Sequence, residues 1–130
     1  MHATPLAGVR VLLVDDDELV RDALHDYFVD CGAVVVAADS ARAALEAFMQ
    51  APPDVLVSDL QMPRGEDGFW LIAAIRALPT AQGGQVPAVA VSGDMTSASR
   101  AIAAGFQAVH GKPPRLPELA ALVARLAGVG

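Results

Sequence analysis

At 130 residues the chain is one domain by length and large enough to bury a core. Hydrophobic residues make up 54 % of it, and the net charge is −6 with no basic run, which argues against nucleic-acid binding. The apolar runs are strand-length and far short of a membrane span, and no signal-peptide pattern opens the chain. A lone cysteine, Cys31, rules out an internal disulfide, fits a reducing cytoplasm, and reads as a small residue near a helix end.

Residues 1–8 read as a disordered lead-in. Val9 to Val14 is expected to be a strand ending in the acidic run Asp15-Asp16-Asp17-Glu18. A helix follows, with Val20, Ala23, Leu24, Tyr27 and Phe28 at helical spacing, and Gly32 stops it. Acids in a first helical turn favour the helix dipole, which accounts for Asp17 and Glu18. It accounts poorly for Asp15 and Asp16, which sit at the strand end. Ala33 to Ala38 is a second strand, and Ser40 caps a helix to about Gln50 that carries Ala44, Leu45 and Phe48 inward.

Pro52-Pro53 breaks that helix before Val55 to Ser58, an apolar strand that delivers Asp59 at its end. The loop Met62-Pro63-Arg64-Gly65-Glu66-Asp67-Gly68 leads to a third helix, Phe69 to Leu78, with Phe69, Ile72 and Ile75 inward. Pro79 to Gln85 reads as a flexible polar loop. Val86 to Val91 is the fourth strand and delivers Ser92. A helix from about Thr96 to Ala104 stops at Gly105, and a short fifth strand near Gln107 to His110 leads into Gly111-Lys112-Pro113-Pro114. Pro117 begins the last helix, whose inner face carries Leu119, Leu122, Val123 and Leu126. The domain thus spans 9–127, with a tail at 128–130.

Five strands alternating with five helices imply a doubly wound α/β fold with a parallel sheet. The flavodoxin-like order 2-1-3-4-5 places strands one and three together at the switch point, where ligands bind. Asp15, Asp16 and Asp59 then converge on one crevice, and Ser92 and Lys112 arrive from strands four and five.

Three carboxylates in one crevice repel; two unit charges about 4 Å apart cost roughly 4 kcal/mol at an effective dielectric of 20. A hard divalent cation relieves this, and oxygen ligands that leave room for water suit Mg²⁺. Asp16 and Asp59 are assigned as direct ligands, Asp15 as one acting through water, and the Gln61 backbone carbonyl as a third protein ligand. Phosphoryl transfer asks a protein for positioning and charge neutralisation. On this reading Asp59 is the phosphoacceptor, Lys112 pairs with a phosphoryl oxygen, and the Ser92 hydroxyl hydrogen-bonds another. Taken singly, Lys112 also reads as a surface lysine and Ser92 as a strand-end cap.

Leu13-Val14-Asp15-Asp16, Ser58-Asp59 with Met62-Pro63 and Gly68, Val91-Ser92-Gly93 and Lys112-Pro113 together resemble the signature of response-regulator receiver domains, over about residues 9 to 127. The resemblance implies phosphorylation of Asp59 by the phosphohistidine of a histidine kinase or histidine phosphotransfer domain. It also implies Mg²⁺ dependence, self-catalysed dephosphorylation and a cis Lys112–Pro113 bond. The face made by the fourth helix, fifth strand and fifth helix is implied to respond, and would serve a second copy or a downstream protein. Gln61, Gly93 and Asp94 match positions that tune dephosphorylation in the family, and a side-chain-free Gly93 leaves the pocket open, so a short-lived phosphoryl group is expected.

The chain departs from the pattern in two places. The loop from Asp59 to Gly68 is one residue longer than in the commonest receivers, and with Ala104-Gly105-Phe106-Gln107-Ala108 it resembles receivers fused to histidine kinases. Val109 stands where many receivers carry the aromatic residue of the switch, so only its hydroxyl half, Ser92, survives. His110 reads as a packed strand residue. Trp70 reads either as partial packing against a neighbouring loop or as a protein contact, and Leu19, Val20 and Ala23 as the docking patch for the phosphohistidine partner. The competing function is a phosphorylation-independent adaptor on the same fold, which would need none of Asp15, Asp16, Asp59, Ser92 and Lys112. A phosphatase would need a separate general acid and a substrate pocket, for which the sequence offers no candidate.

Overall fold

The structure, a computed structural model, describes residues 4–129. Five parallel strands, β1 (Arg10–Val14), β2 (Val34–Ala38), β3 (Val55–Asp59), β4 (Ala88–Ser92) and β5 (Ala108–Gly111), form one sheet in the order β2-β1-β3-β4-β5. The crossovers are α1 (Glu18–Asp30), α2 (Ala41–Gln50), α3 (Gly68–Arg76) and α4 (Ala98–Ala104), and α5 (Leu116–Leu126) closes the chain. This is the expected doubly wound fold. Parallel strands covered on both faces need apolar residues on both. The residues of β3 and β4 are accordingly all buried, while alternate positions feed opposite layers. Leu56 joins the cluster of Phe48, Ile72 and Ala101 beneath α2, α3 and α4. Val55 and Val57 join Leu24, Phe28, Leu119 and Val123 beneath α1 and α5.

Side-chain caps set where the helices begin. Asp17 accepts from the amides of Leu19 and Val20, Ser40 from Ala43, and Asp67 from Trp70. These caps leave Asp15 and Asp16 outside the helix, at the end of β1.

Several expectations are corrected. The lead-in is not disordered from Thr4 onward: Leu6 is fully buried, its amide donates to Cys31 O at 2.9 Å, and the Gly8 amide donates to Gly32 O. Residues 1–3 and 130 lie outside the described residues. The Pro79–Gln85 loop is ordered around a 3₁₀ turn at Thr80–Gln82, with Gly83 at φ 94° packed against Phe48. A second 3₁₀ turn, Met95–Ser97, precedes α4, which is therefore shorter than expected. On α5 the fully buried positions are Leu119, Ala120, Val123 and Ala124; Leu122 and Leu126 are half-buried. Ala23 faces solvent: Leu24 and Phe28 are the buried residues of α1, with Val20 and Tyr27 partly buried against the same cluster.

Candidate functional site

Register explains the convergence. Val14 pairs with Ser58, Asp59 with Val91, and Ser92 with Gly111, so β1, β3, β4 and β5 end at one level. Each strand's next residue or terminal side chain therefore reaches the same crevice. Asp15, Asp16 and Asp59 each offer a carboxylate oxygen, and the three oxygens lie within 4.8 Å of one another. Lys112 Nζ bridges two of these acids, 3.0 Å from Asp15 Oδ2 and 3.1 Å from Asp59 Oδ2. Asp15 and Asp59 are buried and Asp16 is half-buried.

The other lone pairs are committed unequally. Asp15 Oδ1 accepts from the Asp17 amide at 2.9 Å, and Arg21 donates to the Asp15 carbonyl at 3.0 Å. Asp59 Oδ1 accepts from the Gln61 amide at 3.3 Å, and its carbonyl accepts from Ser58 Oγ at 2.9 Å. Asp16 forms no ion pair among the described residues. Burial pushes the Asp59 carboxyl above the usual carboxylate range, Lys112 pulls it back, and the Asp15 charge pushes the same way as burial. For Lys112, burial disfavours the ammonium, but its hydrogen bonds and charge pairing with Asp15 and Asp59 outweigh that and leave it above the usual lysine value. Three acids facing one ammonium leave net negative charge in a largely desolvated place, with only hard oxygen donors around it.

Gly68 is needed at the back of the site. A Cβ there would lie 2.3 Å from Asp59 O and 2.9 Å from Leu60 Cα, while the Gly68 amide donates to Leu60 O at 2.9 Å. Gly93 is the opposite case: it is exposed, and an added Cβ would meet only Lys112 Cβ at 4.0 Å. The Lys112–Pro113 bond is cis.

Ser92 is buried at the end of β4, but its hydroxyl is turned to the following loop. It donates to Asp94 O at 3.2 Å and accepts from the Asp94 amide at 3.1 Å. The Asp94 side chain in turn caps the 3₁₀ turn through the Thr96 amide at 2.9 Å. Val109 is half-buried against the α2–α3–α4 layer. His110 Nε2 accepts from the Arg115 amide at 3.0 Å, so the half-buried ring ties the end of β5 to the start of α5. Trp70 is half-buried with the Arg42 guanidinium 5.3 Å above its ring, and Arg42 pairs with Glu66 at 2.8 Å. The neighbour of Trp70 is thus α2 as well as the loop. Leu19 is 82 % exposed beside the crevice, Val20 half-buried and Ala23 exposed.

Sequence reading missed Arg21 and Arg76. Arg76 donates to Gly105 O at 2.8 and 3.1 Å and to Gly84 O at 3.0 Å, tying α3 to two loops at the far end of the sheet. No local spacing announces either contact, since both depend on tertiary placement.

The response regulator receiver domain profile matches residues 11–124. An uncharacterised 14.6 kDa protein of Leptolyngbya boryana is 39 % identical over 120 residues, 91 % of this chain and 89 % of that protein. The Virulence sensor protein BvgS of Bordetella bronchiseptica is 38 % identical over 118 residues, covering 84 % of this chain but 9 % of BvgS. The chain also spans 32 % of the Regulator of RpoS of Escherichia coli K12. Among solved structures, the receiver domain of sensor histidine kinase PA1611 from Pseudomonas aeruginosa PAO1, with a magnesium ion in its active-site cleft, superposes with a TM-score of 0.84 at 24 % identity, covering 94 % of this chain and 99 % of that one. The chain belongs to the response regulator receiver domains, signalling modules of two-component signal transduction.

Proposed function

We infer that Asp59 accepts a phosphoryl group from a partner phosphohistidine, on a histidine kinase or a histidine phosphotransfer domain, and loses it by self-catalysed hydrolysis. The observation that carries this reading is the Lys112 ammonium held between Asp15 and Asp59 within a three-carboxylate crevice. A structural salt bridge would need one acid beside that lysine, and an adaptor would need none of the three.

The donor set fits Mg²⁺. Asp16, Asp59 and the Gln61 carbonyl would hold it directly. Asp15 would act through water. When bound, the ion neutralises charge on the acceptor and phosphoryl oxygens. A receiver of the same fold solved with magnesium in its cleft supports this assignment.

In the forward step an Asp59 carboxylate oxygen attacks phosphorus while the P–N bond of the phosphohistidine breaks and the imidazole leaves. Lys112 pairs with a phosphoryl oxygen as it moves away from Asp59 Oδ2. Ser92, buried one strand over, reaches another oxygen by rotating its hydroxyl away from the Asp94 carbonyl. In the hydrolytic step water attacks phosphorus, the Asp59 Oδ–P bond breaks, inorganic phosphate leaves and the carboxylate is restored. The open side above Gly93 gives water a way in, and Gln61 and Asp94 hold the positions expected to tune its attack, so the phosphoryl group is short-lived.

Leu19, Val20 and Ala23 form the docking patch for the phosphohistidine partner. The α4–β5–α5 face carries the output or a second copy, with Val109 giving a smaller or differently routed change than an aromatic side chain. No helix among the described residues is long and apolar enough to cross a membrane; a cytoplasmic location is part of the proposal. Incubation with a small phosphodonor and Mg²⁺, beside Asp59→Asn, tests it. The native chain should gain one phosphoryl mass and the variant none.

A further inference from the structure

The cations around the crevice are almost all committed. Lys112 is shared by Asp15 and Asp59, Arg21 donates to the Asp15 carbonyl, and Arg42 pairs with Glu66. Arg64 is the exception: it is exposed and forms no ion pair or side-chain hydrogen bond among the described residues. It lines two adjoining clefts, one with Asp16, Asp17, Arg21 and Asp39, the other with Asp16, Asp39, Arg42 and Met62. A guanidinium above several acids would ordinarily pair with one of them. Here the loop is pinned elsewhere, by Glu66 on Arg42 and by Asp67 capping α3, and Arg64 is left lining two clefts that share Asp16 with the three-carboxylate crevice.

We propose that Arg64 is a specificity residue that engages the phosphoryl oxygens of the incoming donor. This rests on Asp59 being the phosphoacceptor. A free guanidinium presents paired donors to a phosphoryl group as no lysine does. The cleft that Arg64 shares with Asp16 also carries Asp17, Glu18 and Asp39 against Arg21, an acidic surround that would repel an anionic donor approaching from this side. Arg64 offsets that repulsion on the approach side, while Lys112 acts inside. As the Asp59 Oδ–P bond forms, the bond from phosphorus to the donor's leaving group breaks, and that group departs with the electron pair. Arg64 exchanges no proton.

The proposal predicts opposite signs for two ligands of the same crevice. Removing a cation near Asp16 should help a metal cation and hinder a phosphate anion. Arg64→Ala and Arg64→Lys are compared with the native chain in Mg²⁺ binding by calorimetry and in the rate of phosphorylation by acetyl phosphate. Arg64→Ala should slow phosphorylation about three- to ten-fold, by a margin that shrinks as salt is raised, with Mg²⁺ bound equally or more tightly. Arg64→Lys should recover part of the rate. A native rate in Arg64→Ala overturns the proposal, and so does a slower rate accompanied by weaker Mg²⁺ binding, which would mean that the loop had collapsed. A native chain that takes no phosphoryl group overturns the phosphoacceptor reading itself and this inference with it.

Discussion

The Lys112 ammonium lies 3.0 Å from the Asp15 carboxylate although 97 residues separate them, and both groups are largely withdrawn from water. Only the parallel register of β1, β3, β4 and β5 brings them together, so the fold and the site are one arrangement. Lys112 bridges the two acids across the crevice.

Lys112→Ala should therefore cost more than an exposed ion pair. Removing it leaves Asp15 and Asp59 buried side by side, a loss of about 1–3 kcal/mol after discounting the partial exposure of the ammonium. Urea denaturation checks this. The deficit should narrow when Mg²⁺ is added, since a bound cation replaces part of the lost charge.

The raised Asp59 carboxyl gives a signed pH dependence. Between the unfolded carboxylate value, about 4, and the higher folded value, the folded state binds more protons than the unfolded one. Stability without metal should therefore fall as pH rises through that window. Mg²⁺ binds the ionised form, so the melting temperature it adds should grow over the same window. Lys112 contributes at the other end: its ion-pair stability is present below the ordinary lysine value and is lost as pH rises through the higher folded one. Thermal melts across pH, with and without Mg²⁺, check both signs.

Gly68 and Gly93 should respond oppositely to alanine. Gly68→Ala forces a methyl to 2.3 Å from the Asp59 carbonyl, which must shift backbone at the phosphoacceptor. The expected cost is about 1–3 kcal/mol or more, with weaker Mg²⁺ binding. Gly93→Ala should stay within about 0.5 kcal/mol, because the added methyl meets only Lys112 Cβ at 4.0 Å. It should lengthen phosphoryl lifetime by covering the open side of the pocket.

Arg76→Ala separates stability from chemistry. Burial pulls the guanidinium below its usual value, yet it stays ionised and donates to the Gly84 and Gly105 carbonyls. Losing it should cost about 1–3 kcal/mol in urea denaturation and leave Mg²⁺ affinity unchanged, since it lies at the other end of the sheet.

The order of elements was legible because each strand is a short apolar run closed by an acid, a serine or a Gly-Lys pair, while Asp17, Ser40 and Asp67 cap the first three helices and Pro117 opens the last. The convergence of Asp15, Asp16, Asp59 and Lys112 was legible for the same reason: strand ends in a doubly wound sheet share one edge. What escaped was tertiary. Leu6 sits in a stretch with no periodicity, and only the turn at Cys31-Gly32 makes a place for it. Arg76 and Arg21 bond to backbone carbonyls, acceptors that every residue has and no pattern singles out. The Ser92 hydroxyl turns to the Asp94 carbonyl and amide, again backbone groups that no spacing singles out.

The central claim is that Asp59 itself is the acceptor, and reductive trapping tests it most directly. Borohydride converts an acyl phosphate to an alcohol, so treatment after exposure to acetyl phosphate and Mg²⁺, followed by peptide mapping, marks the residue that carried phosphorus. The account predicts a single reduced position, residue 59, absent when Mg²⁺ is withheld. A reduced residue at Asp15 or Asp16, or none in a chain shown to bind Mg²⁺, would contradict it.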